Sequence, residues 1–403
     1  MKWSFYADEG FQAPPISGRD FQINRCGGLE MKITEVEAIW LRLPEVDAAR
    51  CDGTQDTLVV RVYTDEGITG IGEVDSAPLV CKAVIEAPPS HSIAMGLRTL
   101  LVGENPLEIE RLWEKMLRGT IYFGRYGPAI HAMSGVDIAL WDLLGKVTNR
   151  PVNELLGGRF RTKVKAYASA LMPETPLEAG KLAESFVKQG YQAVKFGWGS
   201  IGRDPKLDEE LVQAIRSAVG DGVDVMIDAG HAWDLKGALR MAEVYARYGV
   251  FWLEEPLHPD DLRGYRELVS RSPIPIAAGE QESGRRAFER LLDEAGLDIL
   301  QPDLARCGGF TEGKKIAYMA YDRGRRVVPH SFKTGILLAA STHFAASIPN
   351  GFMIEYLVST SPLVRDLVCE PVEFKDGYVI VPERPAGLGI SLDERVLERY
   401  RVA

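Results

Sequence analysis

The chain has 403 residues, with 47 Lys and Arg against 57 Asp and Glu, for a formal net charge of -10. Its 46% hydrophobic and 26% charged residues supply a large core and exclude disorder over the whole length. An acidic surplus without a basic run argues against a nucleic-acid partner, and no apolar stretch reaches the length of a membrane span. Five scattered cysteines with no CxxC pair give no disulfide framework and suit a reducing cytosol. The expectation is a cytoplasmic protein of two domains, or a barrel with a smaller partner, acting on a small molecule.

Residues 1–30 lack a regular pattern and are read as an N-terminal extension. After Met31, the positions Val36, Ala38, Trp40 and Leu41 give a partly alternating strand. Leu58 to Thr64 is a second strand, Asp65-Glu66-Gly67 a turn, and a third strand runs through Ile71, so an antiparallel meander is predicted. Helices are expected near 90–103, 106–118 and 126–147. In the last, Ile130, Met133, Val136, Asp137, Leu140, Trp141 and Leu144 recur at helical spacing. Residues 31–155 thus read as a small α+β domain.

From 156 to 355 short apolar runs alternate with helical patterns. Strands are expected at 163–169, 191–196, 223–228, 251–254, 275–279, 298–300, 326–329 and 352–355. Roughly equal units of this kind suit a closed β/α barrel better than a doubly wound open sheet, and no G-x-G-x-x-G follows an early strand. Residues 356–403 break the rhythm and are expected to return to the first domain and complete it.

The chemistry concentrates at the strand ends. Val225-Met226-Ile227 ends in Asp228, Phe251-Trp252-Leu253 in Glu254, and Ile276-Ala277-Ala278-Gly279 in Glu280. The three acids recur at equal intervals, one β/α unit apart, which places them on one rim of consecutive strands. In a barrel the C-terminal rim is the catalytic one. A single acid there is often a helix cap. Three converging carboxylates repel one another unless a cation sits between them, and oxygen-only ligation suits Mg²⁺, with Mn²⁺ as substitute, rather than zinc. Glu255 cannot share the direction of its neighbour and is left a supporting role. His231 and Trp233, in the loop after Asp228, are candidates to line the pocket.

His330 ends the run Arg326-Val327-Val328-Pro329, and Asp303 ends the preceding strand. An Asp and a His on adjacent strand ends can hydrogen-bond, which orients the imidazole as a base. Lys195 ends Tyr191-Gln192-Ala193-Val194, where a cation can meet a substrate carboxylate or a developing enolate oxygen. Glu355, after Phe352-Met353-Ile354, could hold an enolate oxygen if protonated or hydrogen-bonded. Together these groups suit abstraction of a proton next to a carboxylate, with charge stabilised in the enediolate.

Several longer runs carry a resemblance. Gly135-Val136-Asp137-Ile138-Ala139-Leu140-Trp141-Asp142, Leu155-Leu156-Gly157-Gly158, Leu253-Glu254-Glu255-Pro256, Gly279-Glu280 and Gln301-Pro302-Asp303 resemble the mandelate racemase branch of the enolase superfamily, over residues 31–403. The resemblance implies an α/β fold, a modified (β/α)7β TIM-like barrel with an α+β capping domain, and a symmetric homo-oligomer. It implies Asp228, Glu254 and Glu280 as Mg²⁺ ligands, Asp303 and His330 as the base dyad, and Glu355 as the late glutamate that stabilises the enolate. Loops near 16–26 and 47–56 are the candidate lid, with Arg19, Arg25 or Arg50 able to meet an acidic substrate.

The chain departs from the family at one place. Where the family often shows Lys-x-Lys, this chain reads Lys195-Phe196-Gly197, so the base expected on the opposite face is missing. The expected activity is therefore a hydro-lyase acting on a small carboxylate, a sugar acid, to give a 2-keto-3-deoxy acid. His330 itself, in a syn elimination, or Tyr167, His231 or a lid residue, in an anti elimination, is the candidate acid for the departing hydroxide. A racemase, epimerase or cycloisomerase is the alternative, and a non-catalytic metal-binding barrel the remote one.

Overall fold

A computed structural model describes residues 31–382 and 386–402. The chain from Met31 onward packs as one unit. Strands β1 (Ile33–Arg42), β2 (Asp56–Thr64) and β3 (Thr69–Val74) form the antiparallel meander. Val36 and Ala38 bury, while Glu37 between them turns out to meet Tyr63 and Arg401. Helices α1 (Pro78–Glu86), α2 (Leu97–Leu101), α3 (Ile109–Thr120) and α4 (Pro128–Thr148) cover the sheet. Of the helix expected near 90–103 only the short α2 forms, and α1, before it, was not expected. Pro88 and Pro89 stop α1, and each helix buries its own apolar face, Cys81 with Ile85 and Leu97 with Leu101.

After α5 (Val152–Leu155) the barrel begins with β4 (Lys163–Leu171) and α6 (Pro176–Lys188). It continues through β5 (Ala193–Gly197), α7 (Pro205–Val219), β6 (Asp224–Asp228), α8 (Leu235–Arg247), β7 (Val250–Glu254) and α9 (Leu262–Arg271). Then come β8 (Ile276–Ala278), α10 (Arg285–Arg290), β9 (Ile299–Leu300), α11 (Gly309–Asp322), β10 (Arg326–Val327), α12 (Gly335–Ser347) and β11 (Met353–Leu357). The strands are parallel and adjacent in chain order from β4 to β10, and β11 returns beside β4. Between β10 and β11 the described closure is a single bridge, Val327 to Gly351. The fold is thus an α+β capping domain on a TIM-like barrel whose last strand has no full helix after it.

The C-terminal segment divides its contacts. After α13 (Pro362–Arg365), the hairpin of β12 (Phe374–Lys375) and β13 (Tyr378–Ile380) pairs antiparallel with the start of β4, extending the barrel sheet. Other parts reach the first domain, where Ser361 Oγ donates to Thr54 O at 2.9 Å and Leu388 N to Asp142 Oδ1 at 2.8 Å, and so does the end. There α14 (Glu394–Tyr400) lies against β1, and Val402 N donates to Trp40 O at 2.8 Å. Among the described residues no helix is long and apolar enough to cross a membrane.

Helix α12 is apolar all round and buried, and it carries His343. His343 Nδ1 accepts from Asn153 Nδ2 at 2.8 Å and Nε2 donates to Leu388 O at 3.1 Å, which leaves no room for a second proton. Burial lowers its pKa from 6.5 to about 4. Because the folded pKa is the lower one, this stability is whole above 6.5 and is lost as pH falls towards 4, by roughly 3 kcal/mol. Denaturant titrations in neutral and acid buffer will show the loss, and His343→Gln will remove its share of the pH dependence.

Candidate active site

The barrel interior explains why the site residues converge. Tyr167, Ala193, Met226, Trp252, Ala277, Ile299 and Met353, one each from seven strands, and Val328, just past β10, fill one apolar layer. Side chains alternate along a strand, so the residue two positions further on points inward again, one layer higher. Those residues are Ser169, Lys195, Asp228, Glu254, Gly279, Gln301, His330 and Glu355. The polar layer therefore rests directly on the apolar one. Glu280 is out of step by one, and Gly279, at φ 133, supplies the backbone turn that brings its carboxylate inward.

Asp228, Glu254 and Glu280 each offer one oxygen, and these lie within 4.8 Å of one another. All three residues are buried. Trp252 Nε1 donates to Glu254 Oε2 at 3.0 Å, Gly230 N to Asp228 Oδ1 at 3.0 Å, and Gln281 Nε2 to Glu280 Oε1 at 3.1 Å. Glu280 Oε2 is buried and accepts no hydrogen bond. Burial, and then the neighbouring charge of Glu254, push the Asp228 carboxyl well above its ordinary value. Burial also carries Glu280 up to about 7. Crowded, under-satisfied oxygen donors fit a hard divalent cation, which these three residues would hold.

Lys195 is inserted among the same acids. Its Nζ lies 2.5 Å from Glu254 Oε1, 2.9 Å from Glu355 Oε1 and 3.8 Å from Asp228 Oδ2. Burial alone would lower its pKa, but the carboxylates outweigh burial and it stays charged. Glu355 accepts from Ser169 Oγ at 2.6 Å and from Ser331 N at 2.7 Å. Burial would raise its pKa, yet Lys195 and then His330 pull it down to about 2. A carboxylate so lowered accepts both hydrogen bonds in its ionised form. It pairs with Lys195.

His330 Nδ1 stands 2.6 Å from Asp303 Oδ2, and Asp303 Oδ1 accepts from Ala305 N at 2.6 Å. The other ring nitrogen, Nε2, faces Glu280 Oε2 at 3.2 Å. Burial works against a charged imidazole, but Glu280, Glu355 and Asp303 outweigh it and raise the pKa to about 10. The ring thus bridges its orienting acid and the wall of carboxylates.

These groups open on a cavity of about 500 Å³ at the barrel mouth, lined on the far side by Cys51, Asp52 and Gly53. Gly197 lines it too. A Cβ built there would lie 2.3 Å from Asp228 Cβ and 2.7 Å from Asp228 O. The position is packed against the paired strand, with no space for a side chain in this arrangement.

Other candidates fall elsewhere. Glu255, at φ 39, turns away from the triad, and its Oε2 meets His231 Nε2 at 2.5 Å. Neither His231 nor Trp233 lines the cavity. Tyr167 belongs to the apolar layer below, its ring edge-on to Trp252, and burial raises its pKa well above the ordinary value. Arg50 lines a side recess with Trp198 and Arg203, while Arg19 and Arg25 lie outside the described residues.

Sequence reasoning missed Asp75, His131 and Arg306, which all line the cavity. Asp75 Oδ2 pairs with Arg306 Nη2 at 2.9 Å, and Arg306 Nη1 donates to Glu280 O at 3.2 Å. His131 spans Ser76 Oγ at 2.8 Å and Ser283 Oγ at 3.1 Å. Burial, and then the charge of Arg306, lower its pKa to about 4 and keep it neutral. Asp75 stands two residues after Glu73 and Arg306 three after Asp303, but nothing in the sequence marks either as facing the barrel mouth.

Comparisons with known proteins agree with this architecture. Residues 30–157 match the model for the mandelate racemase / muconate lactonizing enzyme N-terminal domain, and residues 178–396 match the enolase C-terminal domain-like model. The chain is 32% identical over 358 residues to D-galactarolactone cycloisomerase of Agrobacterium fabrum, covering 86% of this chain and 91% of that protein. It is 33% identical over 349 residues to arabinonate dehydratase of Saccharolobus solfataricus, with 86% and 91% covered. It is 34% identical over 352 residues to L-rhamnonate dehydratase of Saccharopolyspora erythraea, covering 84% of each. The crystal structure of 3,6-anhydro-D-galactonate cycloisomerase from Zobellia galactanivorans superposes with a TM-score of 0.84 at 31% identity, over 92% of this chain and 100% of that one. With both domain models matched and relatives of this identity along most of its length, the chain belongs to the mandelate racemase / muconate lactonizing enzyme family of the enolase superfamily.

Proposed function

We propose that this chain is a Mg²⁺-dependent hydro-lyase that dehydrates a sugar acid to a 2-keto-3-deoxy acid. The observation that carries the reading is one-sidedness: a base, His330 on Asp303, faces the acidic wall from one side, while Gly197 is packed against Asp228 on the other. One base suits removal of a proton followed by departure of a group; inversion at carbon is better served by two. Mg²⁺, or Mn²⁺ in its place, would be held by Asp228, Glu254 and Glu280 and would supply Lewis-acid stabilisation of negative charge at the substrate carboxylate.

The chain's own residues do the rest. Asp303 holds the Nδ1 proton, so neutral His330 presents Nε2 to the hydrogen on the carbon next to the carboxylate. As that C–H bond breaks, the electron pair spreads into an enediolate. Lys195, fixed by Glu254 and Glu355, keeps one ammonium hydrogen for its oxygen. The pair then forms the C=C bond, the C–O bond at the β-carbon breaks, and His330 returns its proton to the departing hydroxide. Water leaves, and the enol tautomerises to the keto acid. The placement of Tyr167 and His231 away from the cavity favours this course, with one imidazole serving as base and then acid.

A screen of diastereomeric sugar acids with Mg²⁺ in D₂O tests the reading. The expected result is a 2-keto-3-deoxy product from at least one acid. Deuterium incorporation with inverted configuration and no loss of water would overturn it. The similarity to D-galactarolactone cycloisomerase favours a second reading, a cycloisomerase. Lactones belong in the same screen, and consumption of a lactone ahead of every open-chain acid would select that reading.

A further inference from the structure

Three segments meet at one buried ammonium group. Lys333 follows the base by one helical turn's length of chain, in the loop between β10 and α12. Its Nζ donates to Gly53 O at 2.6 Å and lies 3.2 Å from Asp75 Oδ1 and 3.8 Å from Asp56 Oδ1. The side chain is 3% exposed. Gly53 belongs to the stretch that roofs the cavity with Cys51 and Asp52, whereas His330 and Phe332 line the wall below. The two backbones are in close contact here, since a Cβ on Gly53 would lie 3.3 Å from Phe332 O.

The third segment is the end of β3. Asp75 also pairs with Arg306, and it offers an oxygen within 4.8 Å of ligand atoms of Asp303 and His330. Two residues earlier, Glu73 Oε2 accepts from Thr334 Oγ1 at 2.9 Å and Leu337 N at 3.1 Å, which fixes the start of α12. The segment 330–337 is thus tied to the capping domain, and Lys333 is its tie to the roof.

We propose that Lys333 is a positioning residue that latches the 51–56 loop over the cavity onto the segment carrying His330. This rests on reading the cavity as the substrate site. An ammonium group removed from water is stable here because the Gly53 carbonyl accepts one hydrogen and the Asp75 and Asp56 carboxylates, at 3.2 and 3.8 Å, balance its charge. The loop has internal bonds of its own, with Asp52 Oδ1 accepting from Thr54 N at 3.0 Å and Gln55 Nε2 donating to Asp47 O at 3.1 Å. Its other described tie to the barrel is Ser361 Oγ donating to Thr54 O at 2.9 Å. Loss of the latch therefore lets the loop swing as a body, and enclosure of the substrate suffers before the chemistry does.

Cys51 is a reporter already in place. It is exposed and lines the cavity two residues before Gly53, and its thiol pKa is raised by burial and by the Glu280 and Asp228 carboxylates, which slows alkylation. Exposed Cys369, outside the cavity, serves as the internal control. Iodoacetamide labelling read peptide by peptide should show Lys333→Met speeding Cys51 about ten-fold, the loss expected when a charged donor no longer holds the loop, with Cys369 unchanged. Lys333→Arg should restore the slow rate. In turnover assays Lys333→Met should raise KM more than it lowers kcat.

An unchanged Cys51 rate in folded Lys333→Met overturns the latch. If Lys333→Met unfolds and Cys369 speeds equally, Asp56→Asn decides: selective acceleration of Cys51 supports the latch, and none overturns it. Labelling needs no turnover, so selective acceleration without dehydration would sink the functional reading alone.

Discussion

Replacing His330 by Asn is expected to lower turnover at least about a thousandfold while Mg²⁺ binds no more weakly than to the unmodified protein. The second half of that result is the sharper one. In the metal-free site the imidazole carries a proton, because Glu280 and its neighbours raise its pKa to about 10. That proton competes with a cation for the same Glu280 oxygen, 3.2 Å away. By linkage, cation binding expels the proton and affinity rises with pH until His330 has titrated. His330→Asn removes the competitor, so its affinity should equal or exceed the original and lose part of this pH dependence. Calorimetry in two buffers of different ionisation enthalpy reads the proton release. Retained turnover, or weakened Mg²⁺ binding in a folded His330→Asn, would refute the role given to this residue.

Gly197→Lys carries the second large effect. Supplying the lysine that the resemblance leads one to expect at this point should cost metal affinity instead of creating a racemase. The first atom of any side chain would sit 2.3 Å from Asp228 Cβ, so β5 and β6 must part before the ammonium can go anywhere. Overpacking of this kind costs about 1–3 kcal/mol, and the displacement falls on one of the three cation-holding carboxylates. Gly197→Ala should show the same loss without the charge. Both variants should bind Mg²⁺ at least about ten-fold more weakly, and neither should gain substrate deuterium exchange with inversion. A folded Gly197→Lys that races through inversion would show that the missing base alone separates the two activities.

Much of the site was legible because a barrel strand is short and buried on both faces, so its final polar residue stands out. Asp228, Glu254, His330 and Glu355 all follow runs of this type, and each lies two residues beyond a member of the apolar layer. Asp75 did not stand out, because it ends a strand of the other domain and reaches the barrel only through packing. Lys333 and Arg306 were hidden for a different reason: cations in loops usually face water, and only the fold shows what surrounds them. Helix α1 was missed because prolines bracket it, and the hairpin of β12 and β13 because its pairing partner, β4, lies some two hundred residues away along the chain.

The sheet that carries these groups is unevenly built. Under Asp228, β5 and β6 form an unbroken ladder from Ala193 with Asp224 to Gly197 with Asp228, and β7 pairs with β6 up to Glu254 after one register shift between Val225 and Met226. Under the imidazole, β10 pairs with β9 only at Arg326 and Val327, touches the next strand through one bridge, and is joined above by the lone bridge of Asp303 with His330. The consequence is mechanical. A pocket for a hard ion tolerates little slippage, whereas a proton shuttle must visit a carbon and then an oxygen on the same molecule. On the proposed reading, the longest ladder lies under Asp228, while His330 is held by few strand pairs and so by its bond to Asp303.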